Sequence, residues 1–212
     1  MNDKRTREQI VERADELFYR QGFEHTSFAD IAGTVKISRG NFYYHFKSKD
    51  QILDAVIGLR LANTAKMLER WERKGEDPAD RIRSFIRILI ANQAKIKLYG
   101  CPVGALCSEL AKLDHPSRSE ANKLFTLFRT WLRRQFTLLG RKRDADRLAM
   151  HVLAWSQGVA MLANAFGDEK FVKEEVNQVC NWLRSHSGSS GAKRLNGNGK
   201  TGRMSPSRRR AG

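Results

Sequence analysis

The segment Ser38-Arg39-Gly40-Asn41-Phe42-Tyr43-Tyr44-His45-Phe46 concentrates side chains that can read nucleic acid. Wound into a helix, it puts Phe42 and Phe46 at i, i+4 on one inward face and leaves Arg39, Asn41, Tyr43, Tyr44 and His45 outside. An arginine pairs with guanine O6 and N7 and an asparagine with adenine N6 and N7, while tyrosine and histidine reach phosphates or thymine methyls. Gly40 removes a side chain where the helix must approach the groove closely. Thr26 and Ser27 before this segment, and Lys49 after it, are hydroxyl and cationic side chains at expected helix starts, where they position phosphates rather than specify bases.

A second chemically suggestive residue is Cys101, in Tyr99-Gly100-Cys101-Pro102-Val103-Gly104. It falls at an expected helix N-terminus, where the macrodipole favours thiolate. Two readings stay open: a reactive sensor thiol, or a small apolar residue closing a helix junction. Cys107 lies six residues on, about 240° around and ~9 Å along the helix, so the two thiols cannot pair without unfolding that turn. The sequence has no phosphate-binding glycine loop, metal-spaced His and carboxylate cluster, or glycine-flanked nucleophile, and no cofactor or metal is expected. An enzyme using Cys101 as nucleophile is therefore the less favoured class.

The elements that must position these residues are helical almost throughout. Ile10, Val11, Ala14, Leu17 and Phe18 form the buried stripe of a first helix that Gly22 ends. Ser27 to Asp30 and Ser38 start two short helices joined by a tight turn, the helix-turn-helix spacing. Ser48-Lys49-Asp50-Gln51 opens a helix running without a breaker to Lys74, about 26 residues or roughly 39 Å, long enough to join two domains. Asp77-Pro78 to Gly100, Pro102 to His115, Ser117 to Gly140, Asp144 to Gly167 and Asp168 to about Ser185 complete a count of about nine helices, with Ser117, Asp144 and Asp168 as caps. The expected fold is all-α. It comprises a three-helix DNA-binding domain over residues 1–50, a helical bundle over 51–185, and a disordered basic tail over 186–212.

Composition agrees with a packed chain: 212 residues, 41% hydrophobic and 29% charged. The net charge of +16 is unevenly spread, +1 over residues 1–50, +8 over 51–185 and +7 over 186–212, where six glycines and five serines accompany seven basic side chains. Such a tail cannot offset its ordering entropy. It suggests the competing reading of an architectural nucleic-acid binder without effector response, which predicts weak sequence preference. Three scattered cysteines point to a reducing compartment, and the charged N-terminus and absence of an ~18-residue apolar run point to a cytoplasmic chain with no membrane partner.

The residues Thr26-Ser27-Phe28-Ala29-Asp30-Ile31-Ala32, the Ser38 to Phe46 segment and Lys47-Ser48-Lys49-Asp50 closely resemble the signature of the tetracycline-repressor (TetR) family. Through them the resemblance covers about 50 residues by motif and, through length and helix count, about 185 by architecture. It implies a homodimeric regulator, most simply a repressor, that binds double-stranded palindromic operator DNA and is released by an unknown small-molecule effector bound in the C-terminal domain. The stretch from Gly100 to Gly104 looks like one found in a subgroup of that family, some of whose members sense electrophiles or oxidants through the cysteine. One departure is Lys36, where the family usually has glycine in the turn. If left-handed, it costs roughly 1 kcal/mol.

Pocket candidates are the large bundle side chains Phe85, Leu89, Phe128, Trp131, Met150, His151 and Trp155, with Gln157 as the polar residue among apolar neighbours and Cys101 as the sensing thiol. The last two helices, carrying Gly158, Leu162, Val176, Val179, Cys180 and Leu183, suit an isologous four-helix dimer interface.

Overall fold

Local capping and apolar spacing decide where this chain turns. The computed structural model describes residues 3–187, and every regular element among them is a helix. Helix α1 (Asp3–Gln21) buries Ile10, Val11, Ala14 and Phe18. At the start of α2 (Phe28–Val35), Ser27 Oγ accepts from the Asp30 amide at 3.0 Å while Asp30 Oδ2 accepts from the Ser27 amide at 2.8 Å. Lys36 ends α2 with φ 53°, the left-handed conformation its place in the turn demands. Ser38 caps α3 (Arg39–His45) and Ser48 caps α4 (Lys49–Lys74), the latter running 26 residues.

Asp77 caps α5 (Pro78–Ala91) with Pro78 in the first turn. The segment expected as one helix up to Gly100 is two, α5 and α6 (Gln93–Tyr99), giving ten helices among the described residues. The break is at Asn92, whose side-chain amide donates to the Ile88 carbonyl at 3.0 Å and whose ψ of 12° takes the chain off the helical path. Helices α7 (Pro102–Lys112), α8 (Arg118–Leu138), α9 (Ala145–Phe166) and α10 (Glu169–Ser187) follow. Asp168 caps α10 through the Lys170 and Phe171 amides. Ser117 and Asp144 make no capping bond: Ser117 Oγ donates to Asp54 at 2.7 Å, and Asp144 is taken by Arg141 and Arg147. Helix α10 continues through His186 and Ser187, so the expected tail begins later than residue 186; from residue 188 it lies outside the described residues.

Two apolar cores result. The first joins α1 to α3 with the opening turns of α4 (Ile52, Leu53, Val56, Ile57) and is sealed from the other side by Leu106, Cys107 and Leu110 of α7. The second fills the bundle with Ile82, Phe85 and Ile86 of α5, Leu132 and Phe136 of α8, Val152 and Val159 of α9, and Val172, Val176 and Leu183 of α10. Val103 and Phe125 pack against both cores and mark the seam between them.

Candidate functional site

The helix-turn-helix is built from behind. Phe42 and Phe46 are wholly buried, with Phe28 edge-on to Phe42 at 4.8 Å and Arg7 stacked over Phe46. That anchoring fixes the rotation of α3 and turns Asn41, Tyr43 (51% exposed) and Tyr44 (67% exposed) to solvent. Gly40 is exposed, and a Cβ there would meet nothing within 4 Å, so the chain's own packing gives no reason for glycine at this position. The Arg39 side chain lies outside the described residues. Ser27 is exposed at the start of α2, and its hydroxyl and amide hold the Asp30 carboxyl below the ordinary carboxylate range.

Three expected DNA contacts are spent inside the chain. The His45 side chain is only 4% exposed, its Nε2 3.4 Å from Asp3 Oδ1 and without a hydrogen bond, so it does not face outward. Thr26 is fully buried, its hydroxyl donating to the Gly22 carbonyl at 2.6 Å. The Lys49 ammonium donates to the carbonyls of Phe23 (3.0 Å) and Glu24 (3.4 Å) and sits 4.2 Å over the Phe23 ring, closing the α1–α2 loop instead of facing outward. Periodicity on a seven-residue helix places faces and does not reveal a neighbouring helix.

The bundle contains a cavity of about 270 Å³ at the seam between the cores. Five of the expected residues line it: Phe85, Leu89, Phe128, Cys101 and Gln157. The others do not. Trp131 packs on Trp71 at 5.7 Å, Met150 lies on the outer face of α9, His151 is exposed against Trp182, and Trp155 is half-buried with Nε1 donating to Glu175 at 3.2 Å. Sequence reasoning missed Val103, Phe125, Asn92, Lys95 and Ser156, and above all Tyr19, which reaches the cavity from α1. Only the tertiary arrangement brings Tyr19 there.

Cys101 caps α7, its Sγ accepting from the Gly104 amide at 3.4 Å. Cys107 is buried, its thiol pushed up to about 11 chiefly by that burial, and it donates to the Ala121 carbonyl at 3.5 Å. Gly104 has a packing role: a Cβ there would crowd Gln157 Oε1, so the glycine makes room for the amide that reaches over from α9. The carbonyls beside Cys101 are tied to the reading module. Tyr19 Oη donates to Gly100 O at 2.9 Å, and burial pushes this phenol up to about 12. Arg60 of α4 donates to Pro102 O and to Asp15 Oδ1, both at 2.6 Å. Glu109 of α7 accepts from the Phe23 and Glu24 amides, both at 2.9 Å.

The expected dimer residues divide. Val176, Val179 and Leu183 are buried in the chain's own core, where α10 packs on α5, and Cys180 is half-buried against the same core. Gly158 and Leu162 instead lie on an exposed stripe of α9 with Met150, Ala154, Met161 (74% exposed) and Phe166 (77% exposed). Their spacing puts them on one face.

Two family models match the chain. Residues 10–56 match that of the bacterial regulatory proteins of the tetR family, and residues 78–178 that of the LmrA/YxaF-like transcriptional regulator C-terminal domain. An uncharacterised HTH-type transcriptional regulator of Lactococcus lactis subsp. lactis is 32% identical over 127 residues, 59% of this chain and 65% of that protein. The chain thus spans just under two thirds of that relative's length. The HTH-type regulator YxaF of Bacillus subtilis (strain 168) is 25% identical over 163 residues, 74% of this chain and 84% of that one. A transcriptional regulator from Agrobacterium tumefaciens shares the fold with TM-score 0.75 over 85% of this chain and 98% of that one, at 21% identity. Both models and these relatives are of regulators, none of an enzyme.

Proposed function

The chain belongs to the TetR family of bacterial regulatory proteins, and from that premise we propose that it is a homodimeric repressor that binds palindromic operator DNA through α3 and is released by an effector in the seam cavity. The observation that carries the reading is the outer face of α3. Asn41, Tyr43 and Tyr44 stand in solvent beside a glycine that the fold does not require, on a helix locked from behind by Phe42 and Phe46. Aromatic and amide side chains left exposed on a rigid seven-residue helix are suited to the major groove. Residues 1–50 form the DNA-binding domain, residues 51–185 the sensing and dimerisation domain, and the exposed apolar stripe of α9 supplies the isologous contact. Cys101, half-buried in the cavity wall, gives the same site an electrophile-responsive arm.

Capture of genomic fragments by the purified full chain at near-physiological salt, followed by sequencing, tests this reading. Enrichment of one or a few palindromic sites is expected, with Tyr43→Ala weakening the recovered site by ~1 to 3 kcal/mol and leaving the helical content intact. Diffuse enrichment without a palindrome refutes operator recognition. Treating the protein with a thiol-reactive electrophile, in wild type and Cys101→Ser, separates the two arms of sensing.

A further inference from the structure

The seam cavity has a chemistry more specific than its apolar character. Phe85 and Phe128 meet edge-to-face at 5.3 Å, and Phe125 completes an aromatic wall. A volume of about 270 Å³ equals roughly nine liquid waters at ~30 Å³ each, room for a molecule of one or two rings. Charge is one-sided: Lys95 lines the cavity, and no aspartate or glutamate is among its described lining residues. Lys95 forms no ion pair among the described residues. Lys95 is exposed at the mouth and also lines the adjoining surface groove with Glu12, Asp15 and Glu16, of which Asp15 is held by Arg60, Glu16 by Arg13 and Arg20, and Glu12 by no ion pair among the described residues.

We infer that the effector is a compact aromatic acid, its ring system against the three phenylalanines and its anionic group at Lys95. This rests on the reading of the seam cavity as the effector site. A cationic ligand would gain contact with the aromatic faces but would meet Lys95 at the mouth and no carboxylate in the described lining, so its lost hydration is not offset by an ion pair. An anion keeps its ion pair at the mouth while its ring leaves water. Gln157 supplies a further polar contact inside, because its amide lies across the chamber against Gly104.

The test uses isothermal titration of the full-length protein with three isosteres, 2-naphthoate, 2-naphthalenemethanol and 2-naphthylmethylammonium, at low and high salt. The carboxylate is expected to bind tightest, with an affinity that falls as salt rises. The neutral alcohol should bind more weakly with little salt dependence, and the ammonium at least about tenfold more weakly than the carboxylate. Lys95→Met should reduce naphthoate affinity by about fivefold and leave the alcohol unchanged. Tighter binding of the ammonium, an unchanged carboxylate-to-alcohol ratio in Lys95→Met, or no binding of any probe each overturns the inference. Because titration needs no DNA, these outcomes are independent of operator capture: a palindrome recovered without naphthoate binding refutes the ligand class alone, and naphthoate binding without a palindrome refutes the repressor reading alone.

Discussion

Tyr19→Phe isolates the contact between the cavity and the reading module. The substitution removes one oxygen and keeps the ring, which stands edge-on to Tyr99 at 5.5 Å, so packing on α1 is preserved. What is lost is the hydrogen bond to the Gly100 carbonyl at 2.9 Å. A partly buried neutral hydrogen bond contributes about 1 kcal/mol, a factor of about five in an equilibrium constant. If the bond is made only in the operator-competent arrangement, that factor appears in operator affinity. Fluorescence anisotropy with the captured site should then show about fivefold weaker binding, in parallel with urea unfolding that reports global stability. If the bond is equally present in the released arrangement, unfolding loses the same ~1 kcal/mol and operator affinity stays put. That second pattern would refute the role of Tyr19 in coupling. A pH control accompanies it: the phenol is raised from 10.0 to about 12 in the folded chain, so its contribution is complete below pH 10 and is lost as pH rises from 10 to 12. Tyr19→Phe should lack that alkaline component of the unfolding curve.

The exposed stripe of α9 predicts that Met161→Glu with Phe166→Glu yields a folded monomer by light scattering, with unchanged helical content and loss of high-affinity operator binding; a persistent dimer would relocate the interface. Lys36→Gly should raise thermal stability by up to about 1 kcal/mol, since φ 53° strains a residue bearing a Cβ; a loss of stability would show that the lysine side chain offsets that strain. Arg60→Met should cost roughly 3 kcal/mol in urea unfolding, because Asp15 loses its partner and Pro102 O a donor, and an unchanged midpoint would remove the pair from any account of the seam.

The sequence carried the fold well wherever local chemistry decides it. Capping serines and the spacing of Ile10, Ala14 and Phe18 are written into neighbouring residues, and α1 to α4 follow from them. It carried the site less evenly. Phe42 and Phe46 were readable as inward, yet His45 was not, since its burial involves residues distant in sequence such as Asp3, forty-two positions away. Val176, Val179 and Leu183 have the spacing of any buried face; whether α5 or a second chain covers it depends on long-range packing, and α5 does. Asn92 shows a local signal overlooked: an asparagine within an apolar helical run whose side-chain amide bonds back to the Ile88 carbonyl, beside its own backbone amide, marks the break.

On the proposed function, the five residues from Gly100 to Gly104 bring the sensing cavity and the helix-turn-helix into one short segment. Gly100 and Pro102 give their carbonyls to Tyr19 of α1 and Arg60 of α4, Cys101 caps α7 and lines the cavity, Val103 touches both cores, and Gly104 admits Gln157. An occupant that pushes on this wall therefore pushes on both helices that hold the reading module. Leverage does the rest. Arg60 and Lys49 are eleven residues apart on α4, about 16 Å along its axis, so a tilt of roughly 10° about Arg60 moves the start of α4 by about 3 Å. That is close to the ~3.4 Å rise of one base pair. In the proposed dimer the displacement would occur twice, and two reading helices set for half-sites a whole number of turns apart would no longer match them. Only a small rearrangement at the cavity wall is needed, provided that the bonds to Tyr19 and Arg60 transmit it.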